Sequence, residues 1–219
     1  MNVLVVAAHP DDEVLGPGGT ILRHVKAGDD VTVLIACTGT NLRYGAAETA
    51  DLLTAARSVA EMLSVRLVLG ELPDQELDTL PLPSVVAVVD REIRATAAEV
   101  VYVHHWGDIN RDHRILCEAT AVATRPYAAP GVRTIRCFET PSSTEWGAPA
   151  GLPPFLPQLF VDVQDTVEAK ISAFARYRSE SRAAPHPRSP DALADRARYW
   201  GSVSGLPAAE PFAVLRDRW

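Results

Sequence analysis

Val3-Leu4-Val5-Val6-Ala7-Ala8-His9-Pro10-Asp11-Asp12-Glu13 passes without a break from six apolar residues into an imidazole and three carboxylates. A short apolar run bounded by a turn reads as a core strand of a parallel sheet. Open α/β sheets bind ligands beyond the carboxyl ends of such strands, so the polar turn stands where a site belongs. An imidazole beside carboxylates is a metal donor set that lacks a third ligand. His113 is the best candidate, in Gly107-Asp108-Ile109-Asn110-Arg111-Asp112-His113-Arg114 after a second apolar strand, Val100-Val101-Tyr102-Val103. Two histidines and a carboxylate, with a fourth position for water, form the donor set of a hydrolytic zinc site, whereas closed structural sites favour thiolates. The plainer alternative is a helix cap at His9 with Asp11 and Asp12 as N-cap acceptors. The presence of two such constellations, each after a strand, weighs against it. A metal lowers the pKa of its bound water, so a nearby carboxylate can take the proton. Asp11 and Asp12 then have different jobs, and the residues alone leave open which is which.

Outward from this turn, strands and helices alternate, the signature of βαβ units in a mainly parallel sheet. Strands are expected at Val3–Ala8, Val31–Cys37, Val65–Leu69 and Val100–Val103, then at Thr134–Phe138 and Leu159–Val163, with a last short one near the end. Helices are expected at Thr20–Val25, Ala46–Leu63, Val85–Ile93, Arg114–Ala123, Val167–Tyr177 and Asp191–Trp200. Pro73–Pro83 reads as a loop dense in Asp and Pro. The Gly/Pro-rich stretch Pro141–Pro157 exceeds the usual connector length, as functional lids and subunit contacts often do.

Ala8-His9-Pro10-Asp11-Asp12-Glu13, the following Gly16-Pro17-Gly18-Gly19 and the later Asp112-His113 resemble the PIG-L/LmbE family of zinc-dependent N-deacetylases, over most of the chain. Pro141-Ser142-Ser143-Thr144-Glu145-Trp146, Pro185-His186-Pro187-Arg188-Ser189 and Ala209-Glu210-Pro211-Phe212 further resemble a bacterial branch associated with glycan or natural-product biosynthesis. The resemblance implies a Rossmann-like three-layer α/β fold with a mainly parallel sheet. It implies Zn2+, or another divalent metal, on His9, Asp12 and His113. Asp11 would be the general base and later the acid for the leaving amine. The implied reaction removes an N-acetyl group from an N-acetylated amino sugar or glycoside. A different small amide, such as a thiol conjugate, would use the same chemistry. A non-catalytic descendant would have little reason to keep all four metal and base residues.

Glu13 is expected against a metal ligand or at a helix N-terminus, and Asp112 is expected to hold a neighbouring side chain. Many relatives carry a histidine three residues before the second metal histidine, where this chain has Asn110. The oxyanion donor is therefore sought in Asn110 or in a histidine, with His186 in its Pro-flanked loop ahead of His104 and His105 at the strand end. Substrate contacts are expected from Arg43 after the second strand and from Asp74, Gln75 and Asp78 after the third. Arg188 is expected to meet an anionic group such as a phosphate. The alternatives are a solvated loop with Asx-turns and, for Arg188, a surface arginine.

The chain has 219 residues, enough for one α/β domain over residues 1–219 and cramped for two. A formal charge of -7 and a pI near 5.4, without a basic run, argue against a nucleic-acid partner. Cys37, Cys117 and Cys137 are odd in number and lie in apolar surroundings, which reads as reduced core cysteines. The start enters a strand at once, and no apolar stretch reaches the roughly 18 residues that span a bilayer. A cytoplasmic protein without a membrane partner is expected, and by analogy a homo-oligomer with Pro141–Pro157 as a contact. A dinucleotide fingerprint needs a third glycine, and Ile21 stands in its place after Gly16 and Gly18.

Overall fold

The computed structural model describes residues 1–41 and 45–218. Its first strand shows why an unbroken apolar run was required. Val3 and Val5 of β1 (Asn2–Ala7) enter one core, and Leu4 and Val6, pointing the other way, enter a second. A strand buried on both faces needs apolar residues at every position.

Six further strands complete one sheet: β2 (Asp30–Asn41), β3 (Arg66–Asp74), β4 (Val100–His104), β5 (Thr134–Phe138), β6 (Leu159–Asp162) and β7 (Ala209–Arg216). Their order is β3-β2-β1-β4-β5-β7-β6. The first five strands run parallel, and β7 lies antiparallel between β5 and β6. The helices are α1 (Asp12–Leu15), α2 (Gly18–Lys26), α3 (Ala46–Leu63), α4 (Leu82–Thr96), α5 (Arg111–Ala123), α6 (Val167–Phe174) and α7 (Pro190–Ser204). Residues of α4 and α5 fill one core with Leu4 and Val6, and residues of α1, α2, α3, α6 and α7 fill the other. The result is the expected three-layer α/β fold with a mainly parallel sheet.

Strand order reverses between β1 and β4, the switch point where α/β sheets open a crevice beyond their carboxyl ends. The His9–Glu13 turn follows β1 there, and the segment carrying His113 follows β4.

Several boundaries differ from the sequence-based expectation for physical reasons. β2 and β3 stay paired past Ile35 and Leu69 through two register irregularities, out to Asn41 and Asp74. Asp74 therefore ends a strand. α4 starts at Leu82, since Pro83 in a first turn removes no hydrogen bond. α5 starts at Arg111 because Asn110 caps it, its side chain accepting from the Asp112 N–H at 2.9 Å. Asp112 and His113 thus sit in the first helical turn. α6 ends at Phe174, leaving Tyr177 beyond it, and α7 runs on to Ser204, where Gly205 at φ 75 ends it.

The N-terminus of α2 is closed from within the chain. Glu210 of β7 accepts from the backbone N–H groups of Gly19 and Thr20 at 2.8 and 2.7 Å, and the Lys170 ammonium pairs with it at 2.6 Å. Among the described residues, no helix is long and apolar enough to cross a membrane.

Candidate metal centre and its surroundings

Asp11 takes φ 123, a left-handed conformation that costs a non-glycine residue about 1–3 kcal/mol. Local bonds offset this. Its carbonyl accepts from Val14 and Leu15 at 3.0 and 2.9 Å, and its N–H donates to Glu13 Oε2 at 3.1 Å. Across this bend the two neighbouring aspartates meet different partners, Asp12 the histidines and Asp11 an arginine.

Asp12 Oδ2 lies 3.2 Å from His9 Nδ1 and 3.3 Å from His113 Nε2, and those two nitrogens are 3.3 Å apart. All three side chains are buried. Donors held about 2.0–2.1 Å from one cation at tetrahedral angles are separated by roughly 3.3–3.4 Å. The triangle thus has the size that a divalent metal needs, and His9, Asp12 and His113 are the residues that would hold it.

The far nitrogen of each ring is held by carboxylates. His9 Nε2 is 3.1 Å from Asp112 and 3.2 Å from Asp74, and Asp112 also accepts from the Gln75 and Leu77 N–H groups at 2.7 and 3.2 Å. The Asp108 carboxylate stands 3.2 Å from His113 Nδ1, off the line of a straight hydrogen bond. Asp108 is held in turn by the hydroxyls of Ser143 and Thr144. Such carboxylates fix ring orientation and raise ligand basicity. His104 lies under the cluster, stacked on His113 at 3.8 Å. Its Nε2 accepts from the Ala8 N–H at 2.9 Å, so its proton is on Nδ1, facing Thr140 Oγ1 at 3.1 Å.

Without a cation the carboxylates draw protons onto the rings. Burial opposes charge on His9, yet Asp112, Asp12 and Asp74 raise its pKa well above the ordinary histidine value. Burial likewise opposes charge on His113, but Asp12 and Asp108 carry it up to about 9. Against the same penalty, His113 and His104 hold Asp12 well below the usual carboxylate range, and His113 with the two hydroxyls takes Asp108 to about 2. Burial, with Asp12 and Glu180 nearby, pushes Asp11 well up, only partly countered by Arg188. Burial also lifts Glu13 to about 7, against the lowering hydrogen bond from Tyr177.

Asp11 is held from the far end of the chain. Arg188 Nη1 donates to Asp11 Oδ2 at 2.9 Å and to Glu180 Oε2 at 2.7 Å, and its Nε donates to Ser142 Oγ at 2.7 Å. Glu13, which accepts the Asp11 N–H, accepts the Tyr177 hydroxyl at 2.6 Å on its other oxygen.

The remaining expected residues are placed less centrally. Asp74 is buried against His9 instead of lying in a solvated loop, because β3 carries it inward. Gln75 is half-buried, its amide nitrogen 3.2 Å from His9 Nε2. Asp78 pairs with Arg111 at 3.2 Å. Arg188 is neither a surface residue nor turned toward solvent, since its guanidinium is taken up by Asp11 and Glu180. His186 Nδ1 accepts from the Arg188 N–H at 3.1 Å, and His105 Nδ1 accepts from the Gly107 N–H at 3.0 Å. Arg43 lies outside the described residues.

The sequence reading gave no role to Asp108, Ser142, Tyr177 or Glu180. For Asp108 a signal existed: a carboxylate five residues before a candidate ligand, at a strand end. Ser142 stood only within the Pro141–Trp146 resemblance, and nothing local marks Tyr177 or Glu180.

The family model for PIG-L, GlcNAc-PI de-N-acetylase, matches residues 4–124, more than half of the 219. The 1D-myo-inositol 2-acetamido-2-deoxy-alpha-D-glucopyranoside deacetylase of Rhodococcus erythropolis (strain PR4 / NBRC 100887) is 54% identical over 38 residues, which make up 17% of this chain and only 13% of that relative's length. The uncharacterized deacetylase YaiS of Escherichia coli (strain K12) is 25% identical over 184 residues, 81% of this chain and 91% of that one. The structure of N,N'-diacetylchitobiose deacetylase from Pyrococcus horikoshii superposes with a TM-score of 0.77 at 20% identity, covering 98% of this chain and 83% of that one. That likeness bears on the fold.

Proposed function

The chain belongs to the PIG-L family of GlcNAc-PI de-N-acetylases, and from that premise we propose that it is a zinc-dependent hydrolase that removes the N-acetyl group of an amino sugar or glycoside. The observation that carries the reading is the triangle of buried donors, with sides of 3.2, 3.3 and 3.3 Å, next to a second aspartate turned a different way. When bound, zinc would polarise the amide carbonyl and make its water acidic enough to lose a proton near neutral pH. The protein's own part is to hold the rings and move the proton. His9 and His113 present Nδ1 and Nε2 respectively, with Asp112 and Asp74 against the other nitrogen of His9 and Asp108 3.2 Å from that of His113. Arg188 occupies Asp11 Oδ2, so Asp11 takes the proton of the attacking water at Oδ1 and returns it to the leaving amine.

An oxyanion needs a donor. Asn110 has its Oδ1 engaged by the Asp112 N–H, which keeps its Nδ2 hydrogens for this role, and the His186 ring is the second candidate. Gln75, Asp78 and Arg43 are proposed to line the sugar's approach. The three cysteines are free and buried, in keeping with a reducing, cytoplasmic setting. A nucleotide-binding reading fares poorly, because the α2 amides that would receive a phosphate already receive Glu210.

The test is released acetate from a panel of N-acetylhexosamine derivatives, run with zinc-loaded and chelator-stripped protein. Turnover that follows zinc content is the expected result. Turnover on none of the panel, or turnover indifferent to chelation, would sink the proposal.

A further inference from the structure

Asp11 and Asp12 are neighbours, yet the groups that hold them share no member. Around the Asp12 triangle, the carboxylates that face the rings come from the end of β3, the segment after β4 and α5, with Ser143 and Thr144 of the loop after β5 behind Asp108. Around Asp11 the holding groups come from the segment joining α6 to α7 and from the loop after β5: Arg188, Glu180, Tyr177 through Glu13, and Ser142. All four lie beyond residue 124, where the family match stops.

The geometry points to Arg188 as the positioning residue of the general base: it fixes one oxygen of Asp11 and leaves the other for the proton. This rests on the deacetylase reading. The Arg188 side chain is only 16% exposed, so water competes weakly for its donors. A guanidinium presents its donors in a rigid fork, and here the fork spans three separate anchors. Ser142, one of them, takes φ 66, and its backbone N–H is tied to Glu145 Oε1 at 2.9 Å, which sets its hydroxyl toward Nε. Glu180, the other, is buried. Ordering Asp11 in this way bears on rate, because proton transfer needs its partners within about 2.6–3.2 Å, and an error near 1 Å can cost about 10²-fold.

Arg188→Ala and Arg188→Lys, compared with wild type, test this. Measurements are metal content, kcat and KM on the panel compound that wild type turns over fastest, and a crystal structure of each variant. The expected result for Arg188→Ala is unchanged zinc content, a KM within about twofold, a kcat lower by roughly 10–100-fold, and an Asp11 carboxylate turned away from its wild-type direction. Guanidinium ion added to Arg188→Ala should restore part of kcat. Arg188→Lys keeps the charge without the fork and should lie between Ala and wild type; if Arg188→Ala does not fold, it carries the test. A rise in KM at unchanged kcat would make Arg188 a substrate contact and overturn the inference, as would an Asp11 carboxylate that stays in place in every variant that folds. If wild type turns over nothing, the deacetylase reading fails, and the crystal structures still decide whether Arg188 positions Asp11.

Discussion

Two regions of this molecule hold adjacent aspartates by different means. The triangle of His9, Asp12 and His113 is built beside strand ends: His9 and Asp12 follow β1, His113 rides the first turn of α5, and Asp74 and Asp112 brace His9 from β3 and α5. The surroundings of Asp11 are assembled from loops, with Arg188, Glu180 and Ser142 contributed by stretches that touch each other only in the folded state. The difference teaches that one turn can serve two purposes when a single bent residue, Asp11 at φ 123, separates them. Metal retention and turnover should therefore respond to different substitutions.

The largest effect expected is from His113→Ala, which removes one corner of the triangle. Zinc should be lost on dialysis and activity should fall to background, while the fold persists because the two sheet cores do not depend on this ring. Full zinc occupancy in the variant would break the division at its root. Next is Asp11→Asn, which keeps size but cannot accept a proton. Zinc should stay bound while kcat drops by about 10²–10⁴-fold. If zinc leaves instead, the roles of Asp11 and Asp12 are exchanged.

A third expectation concerns pH. His113 in the metal-free protein has its pKa raised to about 9, above the ordinary value near 6.5. A raised histidine stabilises the fold fully below its unfolded pKa, and that stability is lost as pH rises through the folded value. Metal-free protein should accordingly lose on the order of a few kcal/mol between pH 6.5 and 9. Zinc, which takes the neutral ring, should abolish that slope. Melting scans at several pH values, with and without zinc, check this; identical slopes in both forms would argue against His113 as a ligand. The smallest effect is assigned to Asn110→Ala. Loss of the cap on α5 should cost about 1 kcal/mol, seen as a lower midpoint in urea. A fall in kcat well beyond that, at unchanged KM and zinc content, would give Asn110 the oxyanion role as well.

The sheet and the triangle were legible in the sequence because both obey short-range rules. Continuous apolar runs marked strands buried on two faces, and hard donors placed directly after two of them marked the crevice. His9, Asp12 and His113 meet because β1 and β4 are adjacent at the switch point; the alternating pattern implied a mainly parallel sheet, and the structure supplies the strand order. The surroundings of Asp11 were not legible. Ser142 and Arg188 are 46 residues apart and Arg188 and Asp11 are 177 apart, in segments of no regular period. Their contact depends on how the loops after β5 and α6 fold back, and no local propensity encodes that. Asp74 was read as a substrate contact in a loop, and its place at a strand end was missed for a related reason: the register shifts that prolong β3 do not follow from the Pro and Asp content of the stretch. Arg188 was expected to face an external anion, and the anion it meets belongs to the chain itself.

The insertion of β7 between β5 and β6 has a consequence for the order in which the protein is completed. β6 is paired to β7, so as a chain emerges residue by residue from the ribosome, β6 appears without its partner strand until residues 209–216 arrive. The same strand brings Glu210 to amides that lie 191 and 190 positions earlier. β1 to β5, with His9, Asp12 and His113 at their edge, can form first, and the closing strand then seals the start of α2 and seats β6 in one event. These late parts should also open together: hydrogen exchange at Gly19, Thr20 and β6 is expected to share one rate, while β1 and β2 stay protected far longer. Distinct rates at Gly19 and in β6 would separate the two events.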